Sequence, residues 1–259
     1  MRRVVLLGLV ASTALLTSVA GACVIVSPTS LTDLPGNAQG PTPFNYYGSL
    51  GSRNQTEYPA SDFLSLGAPR DIIAIKFRPY PGSAGSGFFS SSFSVSNVII
   101  TLSTTTKTET GPNALSTTYS DNVGADVKTV YTGPITLTTT ATDAPGGATK
   151  LFDYTIKLDS WFTYNPKAGN LLLDVTIPTG ATVSGAGFGF VTFDNANTLG
   201  DGIASVVNIQ TGSSATGTYS TDGPIAQFDT SATSEVPEPI SLAGFGLVGM
   251  GLIARRRRA

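Results

Sequence analysis

The chain has 259 residues with 29 Gly, 16 Pro, one Cys and no His, and its 15 basic and 17 acidic residues leave a net charge of −2. Charged residues make up 12%, roughly half the ordinary globular share. The missing His excludes Ser-His and Cys-His nucleophile pairs and imidazole metal sites, and a single Cys excludes an intrachain disulfide framework and a thiolate zinc cluster. Ser and Thr number 62, and apolar residues reach 41%. That composition predicts a β-rich chain of small polar and β-branched residues rather than wholesale disorder.

Met1-Arg2-Arg3 is a short basic start, followed by an apolar run from Val4 to Leu16. Ala20-Gly21-Ala22 then sets an A-x-A pattern before Cys23. This order predicts a secretory signal peptide over residues 1–22, with cleavage around Ala20, Ala22 and Cys23 and export by the Sec machinery. The run is too short for a comfortable membrane span. Cys23 also occupies the place of a lipidated Cys, although Ala20 stands where a lipoprotein signal prefers Leu.

The body, residues 23–228, reads as strands separated by turns. Asp71–Arg78 is a strand stopped by Pro79, and Phe93–Leu102 is another. Val130–Thr140, broken by Gly133-Pro134, predicts a bend or two strands. Phe152–Leu158 alternates apolar and polar residues, as a strand with one buried face does. Leu171–Ile177, Phe188–Phe193 and Ile203–Ile209 follow, with Phe44–Leu50 and Pro224–Phe228 as edge candidates. Short turns are expected near Ala60–Leu66 and Ser116–Asp121. Gly and Pro clusters such as Pro81-Gly82 and Ala144-Pro-Gly-Gly147 punctuate the rest. The expected fold class is all-β: a single β-sandwich, jelly-roll-like, with a signal helix before it and a short apolar helix after it. Residues 229–235, rich in Ser and Thr, read as a flexible stalk.

Nine basic and sixteen acidic residues between 23 and 236 give the body a net charge of −7. Such a body repels phosphates, so no nucleic-acid partner is expected. Carboxylates are the catalytic-grade groups that remain, and Asp153, Asp159 and Asp174 lie on or beside expected strands. A glycosidase needs two of them across one cleft, roughly 5–10 Å apart. Asp194-Asn195-Ala-Asn197 and Asp201 supply hard oxygen ligands that suit calcium, and the same Asx and Gly residues are what a turn requires. No other cofactor is expected. Trp161, Phe162 and Tyr164 form an aromatic cluster. It is either core packing or, through Trp161 and Tyr164, a platform for sugar rings. Ser103–Thr106 and Thr138–Thr140 read equally as strand surface or as sites for O-linked sugars.

Glu235-Val236-Pro237-Glu238-Pro239 leads into fifteen residues from Ile240 to Ala254, then Arg255, Arg256, Arg257 and Arg258. As a helix the apolar stretch reaches about 22 Å, short of the ~30 Å hydrocarbon core. Flanking arginines extend that reach by snorkelling and hold their end in the cytoplasm. Each proline biases the residue before it toward extended geometry, which leaves Glu238 accessible just above the membrane. Segment 236–259 resembles the PEP-CTERM sorting signal. The resemblance implies recognition of Val236, Pro237, Glu238 and Pro239 by an exosortase, and a transient inner-membrane intermediate. It also implies delivery to the cell surface or the extracellular space in bacteria that make exopolysaccharide. Phe162–Asp174, with its Tyr-Asn-Pro turn and Gly-Asn-Leu-Leu-Leu-Asp run, resembles secreted β-rich bodies that carry this signal. Ile99–Thr105 and Leu115–Asp126 resemble them more weakly, and none of these stretches brings an activity. The sequence therefore predicts an exported, non-enzymatic surface or matrix protein with a structural or adhesive role. A carbohydrate-binding module is the alternative, and a carboxylate hydrolase the third reading.

Overall fold

Strands form wherever β-branched and aromatic residues recur with a period of two between Gly and Pro turns. The structure is a computed structural model that describes residues 22–45, 50–82, 91–185, 192–209 and 212–233. The signal segment up to Gly21, Val236–Pro239 and Arg255–Arg258 lie outside the described residues, as do most of Phe188–Phe193 and residues 46–49 of the Phe44–Leu50 candidate. Among the described residues no helix is long and apolar enough to cross a membrane.

Fourteen strands are described, and they form three sheets. The first sheet contains β1 (Cys23–Ser27), β4 (Arg70–Phe77), β7 (Tyr154–Tyr164) and β14 (Ala226–Ala232), in the order β1-β14-β4-β7. A three-stranded sheet joins β2 (Ala38–Gly40), β10 (Phe193–Ala196) and β13 (Gly223–Pro224) in the order β13-β10-β2. The largest sheet holds β3 (Ser52–Tyr58), β5 (Ser92–Thr105), β6 (Lys128–Thr138), β8 (Asn170–Ile177), β11 (Ala204–Asn208) and β12 (Thr218–Ser220). Its order is β12-β11-β3-β8-β5-β6, and β9 (Val183–Ser184) pairs with β5. Every named strand pairing is antiparallel. The expected turns are 3-10 turns at Ala60–Leu66 and Tyr119–Asn122.

One buried cluster takes Ile72, Ile75, Phe77, Ile156 and Phe228 from the four-stranded sheet and Val98, Ile100, Leu102, Leu173 and Val175 from the largest. Phe193 lies beside Phe77, Phe93 and Tyr154, edge-on at centroid distances of 5.3–6.1 Å, the arrangement that aromatic quadrupoles favour. A second, smaller cluster of Leu115, Tyr119, Leu172, Ala204 and Val206 lies on the opposite face of the largest sheet. The segment between β5 and β6 folds back over that face to make it.

Three expectations change. β3 was not expected, and it is a central strand. Val130–Thr140 is one strand with register shifts against β5, so Gly133-Pro134 does not divide it. Residues 229–232 are not stalk: they complete β14, which hydrogen-bonds to β1 on one side and β4 on the other. The Ser and Thr content that suggests flexibility is also what an interior strand tolerates when its neighbours satisfy the backbone.

Candidate functional site

The stretch proposed for calcium is divided between strand and turn: Asp194 and Asn195 lie on β10, and Asn197 and Asp201 belong to the connection that follows it. Asp194 is wholly buried, and its Oδ2 accepts from Arg78 Nε at 2.8 Å while its Oδ1 accepts from the Gly36 N–H at 2.9 Å. The Arg78 guanidinium also donates to the carbonyls of Leu31, Thr32 and Leu34 at 2.6–3.0 Å. The guanidinium thus holds a carboxylate and three carbonyls, the donor set a hard cation would take. Burial lowers the Arg78 pKa and raises that of Asp194, each opposed by the partner's charge. Asn195 donates to Asp222 Oδ1 at 2.9 Å, and Asn197 Oδ1 accepts from Thr221 at 2.7 Å. Asp201 caps its own turn through the N–H groups of Thr198 and Ile203 at 2.8 and 3.0 Å. The four residues do not converge, and among the described residues no three His, Cys, Asp or Glu side chains are grouped to hold a metal.

The proposed aromatic pair is split by strand geometry. Trp161 and Tyr164 are three residues apart on β7, so they face opposite ways. Tyr164 is fully buried, packs edge-on against Phe63 at 5.0 Å, and donates its hydroxyl to the Gly169 carbonyl at 2.8 Å. It cannot touch a glycan. Trp161 is 57% exposed. Residues 158–161 bulge opposite the single residue Ile73, because Phe162 pairs with Ile72 and Lys157 with Ala74. Lys128 donates to the Trp161 carbonyl at 2.6 Å, and its ammonium lies 5.7 Å from the ring centroid.

The three aspartates singled out as carboxylate candidates do not pair. Asp174 is held by Arg53 and Gln55, each at 2.7 Å. Asp153 Oδ2 accepts from the Thr140 N–H and hydroxyl, and Asp159 is exposed on the β7 bulge. Arg53 also lies over the Tyr119 ring at 4.5 Å, and Asn122 donates to Gln55 Oε1 at 2.9 Å. This polar layer pins the β5–β6 segment to the outer face of the largest sheet.

Sequence reasoning passed over two carboxylates that do interact. Glu57 on β3 is 1% exposed, accepts from Asn170 at Oε1, and has no hydrogen-bond partner at Oε2. Burial, and then the charge of Glu109, raise its pKa to about 9. Glu109 is itself buried and accepts from the N–H groups of Gly200 and Gly202 at 2.7 and 3.0 Å. Nothing in Ser-Arg-Asn-Gln-Thr-Glu-Tyr signals a buried strand, since its polar residues face a covered sheet on both sides. The pair is closed to a substrate and ties four chain segments together: β3, β8, the β5–β6 segment and the loop before β11.

The first and last described strands meet. Cys23 pairs with Thr230 and its carbonyl accepts from the Thr230 hydroxyl at 3.0 Å. Beyond this strand, residues 235–258 match the PEP-CTERM protein-sorting motif. No curated protein and no solved structure matches the chain. The motif marks an exported chain that an exosortase recognises during sorting at a membrane.

Proposed function

We propose that this is a non-enzymatic surface or extracellular-matrix protein, exported through Sec and released from the inner membrane by an exosortase. Its two large sheets act as the layers of one open sandwich, and the body serves a structural or adhesive role beside exopolysaccharide. Signal segment 1–22 and apolar segment 240–254 act as transient membrane helices in this reading. The observation that carries it is the position of the last strand. β14 ends at Ala232 and the motif begins at residue 235, so a cut at Pro237-Glu238-Pro239 spares every described strand. Likewise, a cut before Cys23 spares β1.

The test is intact mass on protein from its native host, with membrane, surface and medium fractions kept apart. The expected surface or medium species begins at or near Cys23 and lacks Ile240–Ala259. A mature chain that keeps Arg255–Arg258 and stays in the inner membrane would reduce the tail to a plain anchor.

A carbohydrate-binding role is the second reading, favoured by the exposure of Trp161. It requires saturable binding of a defined glycan that Trp161→Ala abolishes. Binding that survives this substitution removes Trp161 as the platform.

A further inference from the structure

The register of the four-stranded sheet locates the point where the tail leaves the body. Ala232 pairs with Arg70, and Arg70 pairs with Tyr164 at the end of β7. With neighbouring strands about 4.8 Å apart, the exit lies about 10 Å from that end. Trp161 is three residues back, about 10 Å along the strand. Beside it, Ile73 opposite the bulge is 39% exposed, and Lys128 reaches over the indole. Lys167, exposed in the turn that follows β7, adds a second ammonium. An exposed indole flanked by an apolar side chain and lysines is the chemistry of a membrane interface, where a ring lies among headgroups and ammonium groups reach phosphates.

Chain length brings this face to a bilayer. From Ala232 to Ile240 is eight residues, at most about 28 Å when fully extended. Headgroups occupy roughly 5–8 Å of each leaflet outside the hydrocarbon. A tether this short gives an effective concentration near the millimolar range, so a weak interfacial contact is occupied while the tether is intact. The body's negative charge and the exposed Asp159 on the same bulge disfavour an anionic surface. The surface that fits is zwitterionic phospholipid.

We propose that, while the tail is uncut, the face formed by Trp161 and Ile73 rests in the headgroup layer of the membrane that the tail enters, with Lys128 and Lys167 on lipid phosphates. This rests on the anchored-and-sorted reading above. Cutting the tail removes the tether and its effective concentration, and the same face is then released to water. Processing therefore uncovers Trp161 as well as freeing the body.

Trp161 is the sole tryptophan of the chain, so its fluorescence reports this face alone. The experiment reconstitutes the full chain into phosphatidylcholine vesicles, with and without a nitroxide-headgroup lipid. The expected result is quenching of Trp161 emission by the nitroxide of about twofold or more, with protection from aqueous acrylamide. The variant Ile73→Asp with Lys167→Glu changes only exposed side chains, and it should restore acrylamide access without detaching the protein. Protein that floats with the vesicles while Trp161 stays unquenched and open to acrylamide overturns the proposal and leaves the anchor reading intact. Nitroxide quenching unchanged in the double variant also overturns it. Protection conferred by added exopolysaccharide instead of lipid assigns the face to sugar and overturns it. Protein that fails to float overturns the anchor reading and the proposal together.

Discussion

The Arg78 guanidinium and the Asp194 carboxylate meet at 2.8 Å with neither side chain exposed to solvent. The pair closes the loop from Leu31 to Gly36 against β10, because Arg78 holds three of its carbonyls and Asp194 holds its Gly36 amide. Arg78→Met leaves a buried carboxylate and three carbonyls without their donor. The expected loss is about 3–5 kcal/mol of stability, read as a lower midpoint in urea denaturation. A midpoint unchanged by the substitution contradicts this role.

Glu57 gives the fold a specific dependence on pH. Its carboxyl is raised to about 9 by burial and by Glu109, against about 4.3 in an unfolded chain. Between those values the folded state holds a proton that the unfolded state has lost. Its contribution is therefore complete below about pH 4.3, declines as pH rises, and is gone above about 9. The slope approaches 1.4 kcal/mol per pH unit at most, an order-of-magnitude figure. Glu57→Gln keeps a carbonyl for Asn170 and cannot ionise. Unfolding free energies at pH 6 and pH 9 should differ less in this variant than in the parent. Equal differences in the two proteins rule out Glu57 as the source.

Gly124 has no room for a side chain. A Cβ there would lie 1.7 Å from the Thr104 carbonyl oxygen, which is backbone and cannot swing aside. Gly124→Ala must push the β5–β6 segment off the largest sheet. The cost is about 3 kcal/mol, at the upper end for overpacking, and thermal melting is the direct readout. A variant that melts with the parent shows that this segment is not held against β5.

The end of the β-rich body is testable by truncation. A chain from Cys23 to Ser234 keeps β14 whole and should melt cooperatively, with the same β-rich circular dichroism as the tail-bearing protein. A chain that stops at Ile225 removes the strand between β1 and β4 and should not fold. A cooperative melt from the shorter chain shows that β14 is dispensable.

How much of this was legible in the residues depends on which faces of each strand are covered. β4, β5, β7 and β8 were readable because their apolar residues alternate or run together between Gly and Pro turns. β3 was not, because Arg53, Gln55 and Glu57 meet the polar layer on one face while Asn54 and Thr56 bond to each other on the second. Hydrophobic periodicity carries no trace of a strand buried through hydrogen bonds. The calcium loop misled for a related reason: Asp194 has the right oxygen atoms, but its counter-charge is Arg78, distant in sequence and brought near by the fold. Trp161 and Tyr164 were sound as an aromatic pair in composition, yet spacing on a strand decides that only Trp161 faces out.

The pairing of Cys23 with Thr230 joins groups 207 residues apart, and β14 occupies the slot between β1 and β4. During export β1 is therefore left without its neighbour until β14 follows. A translocating chain keeps a gap in its sheet for almost the whole of its passage, and distant pairings of this kind form slowly. The strand that fills the gap lies immediately ahead of the sorting motif, so the order of residues itself schedules completion of the body for the moment when that motif emerges.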